Sequence, residues 1–324
     1  MSLPTIAIVD WKTGPLGEPS SEVESSVAGD AAHIHYQLAD TEDDLDNTTL
    51  QADAIILWHN LPITARTIDR LARCRAIIRN GVGFDSIDLA AAKARQISVC
   101  NVPDYGTEEV ADHAIALALT LCRQIASLDV TAKALKWSIT APDRLRRFSA
   151  MVFGIVGLGP IGTAAAMRAK ALGFQVAYYD PYVLPGVAKA LGIRRITALP
   201  DLLKMADVLS LHCPLNKHTL HLISENEIGL MKPHAYIVNT ARGALIKKDA
   251  LFQALRDGRI AGAGLDVVED EPLRTPEEAQ TPNLIVTCHA AFCSRESKVE
   301  LRSSSARLAI ASIKGEPLDN VVNR

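Results

Sequence analysis

The sequence is short of aromatic residues, of paired cysteines, of clustered charge and of long apolar runs, and each shortage excludes something. Phe, Trp and Tyr make up only 5% of the 324 residues while hydrophobic residues reach 48%. The core is therefore built from Ala, Val, Leu and Ile, as in parallel sheets covered by helices. The 34 basic and 37 acidic residues are mixed along the chain and leave a formal net charge of −3. That balance gives no electrostatic case for nucleic acid or an acidic membrane surface. The six cysteines, at 74, 100, 122, 213, 288 and 293, form no CxxC pair. No disulfide framework and no metal site are expected, and a reducing cytoplasm is the natural setting. "MSLPTIAIVD" has no basic n-region, and no segment is long enough to span a bilayer. The expectation is a soluble cytoplasmic protein.

What is present is an alternation of short β-branched runs with helical periodicity, the signature of an α/β fold. The length fits two domains. The first hundred residues offer "TIAIVD", "HIHYQLA", "DAIILW", "RAIIR" and "ISVCN" as strands, with "TARTIDRLARC" and "DSIDLAAAKARQ" as helices. A helix then starts at 107, with Glu108 and Glu109 in its first turn, where carboxylates favour the positive end of the dipole. Its apolar positions cover most of its circumference, so it should lie buried between surfaces. Residues 127–150 are less periodic and read as a connecting arm. A second series follows in "MVFGIVG", "QVAYYD", "DVLSLHC", "AYIVNTA", "AGAGLDV" and "NLIVTC", and a last long helix, "ESKVELRSSSARLAIASIKG", is expected to pack on the first domain.

The stretch "FGIVGLGPIGTAAAMRAKALG" carries Gly157, Gly159 and Gly162 between a strand and a helix. A second strand ends in Asp180, about 20 residues downstream, as a dinucleotide fingerprint requires. Gly157 makes the tight turn, Gly159 lets a pyrophosphate approach the backbone, and Gly162 allows close helix–strand packing. The N–H groups at the helix start and its partial positive charge favour phosphate. Pro160 suits the first helical turn but removes one donor, which shifts the load to Gly159 and Ile161. Asp180 accepts ribose hydroxyls and repels a 2′-phosphate, so NAD is expected rather than NADP.

The motifs "NGVGFDSIDL", "NVPDYGTEEVADHA", "GLGPIG", "NTARGALI", "GLDVVEDEP" and "CHAA" occur in this order over nearly the whole chain. With them the sequence resembles the D-isomer-specific 2-hydroxyacid dehydrogenase family. "YYDPYVLPGVAKALGI", "LHCPLNKHTLHLI" and "HAAF" make it most similar to the C-terminal-binding-protein branch. The resemblance implies two Rossmann-like or flavodoxin-like domains with parallel sheets. Residues 1–100 and 292–324 would form the substrate domain, and 101–291 an inserted NAD-binding domain with a dimerisation helix and arm. A homodimer and a small 2-oxo or 2-hydroxy acid substrate are implied as well.

Reducing a 2-oxo acid needs a hydride donor, a proton donor, a cation at the carbonyl and a carboxylate anchor. His289, at a strand's carboxyl end, matches the family's acid/base histidine. Glu271 matches its carboxylate partner, whose charge favours the imidazolium form; without the family, Glu269, Asp270 and Glu271 are equal candidates. Arg242, whose planar fork suits carboxylate and carbonyl oxygens, matches the family's arginine. Asp266 matches the residue that holds the nicotinamide carboxamide, and His212, Pro214 and Thr240 fall among the cofactor-binding positions. The substrate carboxylate is expected at Arg79 and at a nest formed by the N–H groups of Val82 and Gly83. Trp58, His59, Tyr105 and Phe292 would line an apolar, aromatic substrate pocket. The competing readings are an NAD-responsive corepressor and a phosphoglycerate dehydrogenase.

Overall fold

The computed structural model describes residues 3–12, 20–58, 61–137 and 145–324. They fall into two units, Met1–Gly106 with Ser294–Arg324, and Thr107–Cys293. The seams lie a few residues beyond 100/101 and 291/292, because the loop after the fifth strand still pairs with the first unit: Val102 N donates to Gly81 O at 3.1 Å.

In the first unit, β1 (Thr5–Asp10), β2 (His33–Leu38), β3 (Ala54–Leu57), β4 (Ala76–Arg79) and β5 (Ser98–Asn101) form a parallel sheet in the order β2-β1-β3-β4-β5. β3 and β4 are buried at every position, which is why they read as continuous aliphatic runs rather than alternating ones. Ile8, Ile56 and Ile78 pack on one face with Ala309, and Ile55, Leu57 and Ile77 on the other. Ala309 belongs to the helix Arg295–Lys314, so the end of the chain closes the first unit's core. That helix starts at Ser294, whose side chain accepts from Ser297 N at 2.8 Å, and stops at Gly315 with φ +73°. Its Arg302 clamps Glu24 of the helix Glu22–Ala28 at 2.8 and 2.6 Å. The expected helix "TARTIDRLARC" shrinks to Ala65–Ile68. There Thr64, Arg66 and Thr67 turn their side chains onto Glu42, the local competition that makes threonine a poor helix former.

In the second unit, β6 (Val152–Val156), β7 (Gln175–Tyr179), β8 (Arg194–Ile196), β9 (Val208–Leu211), β10 (Tyr236–Asn239), β11 (Gly262–Leu265) and β12 (Leu284–Val286) form a parallel sheet in the order β12-β11-β10-β9-β6-β7-β8. The three-residue β8 has no counterpart in the sequence reading. Strands are added on one side of β6 through β8 and on the other from β9 onward, so the chain switches direction between β6 and β9. That is the position where a doubly wound sheet opens a crevice. The helix Thr107–Cys122 buries Val110, Ala111, Ala114, Ile115, Leu117, Ala118 and Leu121. The glycines of β11 admit it closely: a Cβ on Gly264 would lie 3.0 Å from Leu117 Cβ. Gln124, with φ +53°, breaks the helix, and a second helix, Ile125–Lys133, occupies the start of what reads as an arm. None of its residues is buried. Among the described residues, no single helix is long and apolar enough to cross a membrane.

Candidate active site

The register of the second sheet explains where its functional residues stand. Val156 lies opposite Tyr179 and Leu211, Leu211 opposite Asn239, Asn239 opposite Leu265, and Leu265 opposite Val286. The next residue on each strand therefore falls on one row across the carboxyl edge: Gly157, Asp180, His212, Thr240, Asp266 and Thr287. Backbone bonds close the row, from Gly157 N to Tyr179 O, His212 N to Val156 O, Asp266 N to Asn239 O and Thr287 N to Leu265 O, all at 2.8–3.0 Å.

Along this row the glycines divide their work. Gly157 has φ +89°, and a Cβ there would lie 2.7 Å from the backbone N of Cys213. A Cβ on Gly162 would come 2.0 Å from Gly157 O. These two are required by the strand–turn–helix geometry itself. Gly159 differs: nothing lies within 4 Å of where its Cβ would be, so the space beside its backbone is open. The helix Pro160–Ala171 starts here with Pro160 in its first position. The N–H groups of Ile161 and Gly162 are in the first turn, where no helical carbonyl can reach them. Asp180 supports the loop, accepting Leu158 N at 2.8 Å on one oxygen and Tyr182 N at 2.8 Å on the other. The second oxygen also receives Val183 N at 3.3 Å, so it is the first that keeps capacity for a hydroxyl.

Two buried polar atoms on the row, His212 Nδ1 and Thr240 Oγ1, make no hydrogen bond. His212 Nε2 contacts Ser210 Oγ at 2.8 Å, and burial pushes its pKa down to about 4, so the ring is neutral near pH 7. Pro214 follows two residues later, in the loop after β9. The open space at Gly159, the helix start and these unsatisfied groups fit a dinucleotide phosphate backbone and its sugars.

Beyond the row lie the candidate reacting groups. Arg242 begins the turn Gly243–Leu245 after β10. The Asn239 side chain shapes that turn, donating to Arg242 O at 2.9 Å and accepting Ala241 N at 3.0 Å. Asp266 is 2% exposed. Sequence reasoning assigns it to the nicotinamide carboxamide, yet its oxygens receive Thr287 Oγ1 at 2.6 Å and the N–H groups of Ala290 and Ala291 at 2.9 Å. Its carboxylate thus builds the loop that presents His289. In that loop His289 takes a left-handed conformation, φ +53°, held by its N–H on Asp266 O at 2.8 Å. Such strain at a non-glycine residue persists only where surrounding contacts over-determine it. His289 Nδ1 lies 2.8 Å from Glu271 Oε1. A carboxylate only accepts, so Nδ1 donates and Nε2 is the ring atom left for other chemistry. Among the three acidic candidates, geometry selects Glu271.

In the first unit, the candidate substrate residues again follow strand ends. Arg79 ends β4 and is buried, with its guanidinium folded over Gly81 and donating to Asn80 O. Gly81 leaves room for it, since a Cβ there would lie 2.6 Å from Nη1. Asn101 Nδ2 holds Val82 O at 2.7 Å, fixing the turn that contains Gly83. Trp58 stands one residue past β3, its N–H on Val9 O at 2.9 Å, and Tyr105 is buried in the loop after β5. His59 lies outside the described residues. Phe292 is half-buried and belongs to the second unit.

Residues 115–291 match the family described as D-isomer specific 2-hydroxyacid dehydrogenase, NAD binding domain. The chain belongs to that family. It is 36% identical over 276 residues to a glyoxylate reductase of Korarchaeum cryptofilum, covering 84% of this chain and 83% of the relative. It is 33% identical over 316 residues to a D-3-phosphoglycerate dehydrogenase of Methanocaldococcus jannaschii, covering 96% of this chain but only 58% of that longer protein. Among solved structures, D-lactate dehydrogenase from Aquifex aeolicus, complexed with NAD and lactic acid, superposes with a TM-score of 0.85 at 30% identity over 96% of each chain. The second unit is thus the family's NAD-binding domain, within an α/β fold of two parallel sheets.

Sequence reasoning missed two contacts. His113 Nε2 touches Thr287 Oγ1 at 2.9 Å, joining the long helix to the Asp266 loop across 174 positions. Thr287 was findable as the residue one step past β12; His113 was not, since no local pattern marks it. Glu269, a candidate partner for His289, meets His221 instead.

Proposed function

We propose that this protein reduces a small 2-oxo acid to the D-2-hydroxy acid with NADH. The pair Glu271–His289, at 2.8 Å beside the row that begins at the glycine loop, carries the reading. A nicotinamide cofactor held by the glycine loop would supply the hydride for the keto carbon. Glu271 fixes the ring orientation of His289 through Nδ1, leaving Nε2 to give a proton to the carbonyl oxygen as charge develops there. Arg242 polarises that carbonyl. Gly157, Gly159, Pro160, Ile161 and Gly162 receive the pyrophosphate, Asp180 the adenosine ribose, and His212, Pro214, Thr240 and Asp266 border the rest of the dinucleotide. The charge on Asp180 disfavours a 2′-phosphate, so NADH is preferred to NADPH.

Arg79 and the N–H groups of Val82 and Gly83 hold the substrate carboxylate, and in the same unit Trp58 and Tyr105 supply an aromatic lining. That lining favours apolar or aromatic 2-oxo acids over sugar acids. The motifs shared with the C-terminal-binding-protein branch support a place near that branch. A homodimer is supported by the helix Ile125–Lys133 and the segment after it, where Val130, Leu135 and Trp137 are 68%, 94% and 93% exposed.

Initial rates across aliphatic, aromatic, acidic and hydroxylated 2-oxo acids test the proposal. NADH should serve at least about tenfold better than NADPH. His289→Asn should cut kcat by about 10²- to 10⁴-fold with NADH binding retained. If no oxo acid oxidises NADH, or His289→Asn turns over normally, the reading is wrong.

A further inference from the structure

Glu269 and Glu271 leave their loop in different directions, because Asp270 between them is left-handed, with φ +57°. Glu271 meets His289; Glu269 meets a second imidazole. Its Oε1 lies 2.5 Å from His221 Nε2, and its Oε2 accepts the N–H of Lys248 at 3.1 Å. Burial works against the charge on Glu269, but the hydrogen bonds from His221 and Lys248 outweigh it and hold its carboxyl below the ordinary range. Lys247, Lys248, Glu225 and Asp249 are the charged groups around this pair.

The His221 end of the pair is tied to the Arg242 turn. His221 N donates to Ala244 O at 2.8 Å, Ile223 N to Leu245 O at 3.0 Å, and Lys247 N returns to Ile223 O at 3.0 Å. The same turn presses on the Glu269 loop: a Cβ on Gly243 would lie 2.1 Å from the carbonyl carbon of Val268 and 2.4 Å from Glu269 N. Two backbone segments in direct contact therefore carry Arg242 and Glu271. Van der Waals contact resists closer approach but does little against sliding, and His221–Glu269 is a side-chain cross-link that resists the slide.

We propose that His221 and Glu269 are positioning residues for proton transfer, fixing the Glu271 loop against the Arg242 turn. The inference rests on the roles given above to Arg242, Glu271 and His289. With side chains 37% and 22% exposed, the pair contributes little to global stability. Its effect is on geometry, where a displacement of about 1 Å costs on the order of a hundredfold in rate.

The test is steady-state kinetics with NADH and the best 2-oxo acid of the panel, beside thermal melts. His221→Asn keeps a residue that tolerates the left-handed backbone, His221 having φ +51°, but is too short to reach Glu269. Glu269→Ala removes both bonds, and Glu269→Gln keeps one acceptor. His221→Asn and Glu269→Ala should each lower kcat about tenfold, with both KM values within about twofold and Tm nearly unchanged; Glu269→Gln should fall between. In a Glu271→Ala background, His221→Asn should cost less than about twofold, because the group it positions is gone. An unchanged kcat, a loss that follows Tm or KM, or a full loss in the Glu271→Ala background overturns the proposal. A wild-type chain that oxidises NADH with no oxo acid overturns the catalytic reading itself, and this inference with it.

Discussion

His212 shows how one side chain reports on its surroundings. Burial lowers its pKa to about 4 from 6.5. Above pH 6.5 the folded and unfolded forms both hold a neutral ring, and nothing is lost. Between 6.5 and about 4 the unfolded chain takes up a proton that the folded protein refuses, so stability falls as pH falls. Wild-type Tm should therefore drop more between pH 7 and pH 5 than that of His212→Asn, as differential scanning fluorimetry would read; parallel curves would refute the assignment. The resemblance, not a local pattern, brought in His212; the fold places it one step past a strand, as it does Gly157, Asp180, Thr240 and Asp266. What the sequence could not supply was direction. Glu269, Asp270 and Glu271 are chemically alike and adjacent, and the left-handed backbone at Asp270 between them is not written in any local pattern.

Elements are legible where their periodicity is set by burial on both faces, as in β3, β4 and the helix Thr107–Cys122. They are not legible where a contact distant in sequence decides: β8 is three residues long and exists because it pairs with β7. Ile125–Lys133 buries none of its residues, its apolar Ile125, Leu128 and Val130 being exposed, so burial within this chain does not mark it out. The glycine turn gives the sharpest contrast at this scale. Gly162→Ala drives a methyl to 2.0 Å from a backbone oxygen and should cost about 2 kcal/mol or more, seen as a lower denaturation midpoint. Gly159→Ala meets nothing within 4 Å, so stability should hold while calorimetry finds weaker NADH binding. Equal destabilisation by both would remove the distinction between packing glycine and ligand glycine.

Across the whole molecule, the first unit is discontinuous, and Arg302 and Glu24 join its two pieces over 278 positions. The Glu24 side chain is fully buried, so Arg302→Met leaves a carboxylate without its cation. That should destabilise the first unit by about 3–5 kcal/mol. Urea unfolding followed through Trp11 and Trp58 reads it, and adding Glu24→Leu should recover most of the loss. A single variant as stable as wild type would show that the clamp carries no weight.

This closure also orders events at the ribosome. The inserted unit, Thr107–Cys293, is one continuous stretch and is complete before residue 294 is translated. The first sheet, although made earliest, must wait with one face uncovered until its last helix emerges. A chain stopped short of that helix would carry a finished NAD-binding unit beside an unfinished, aggregation-prone sheet.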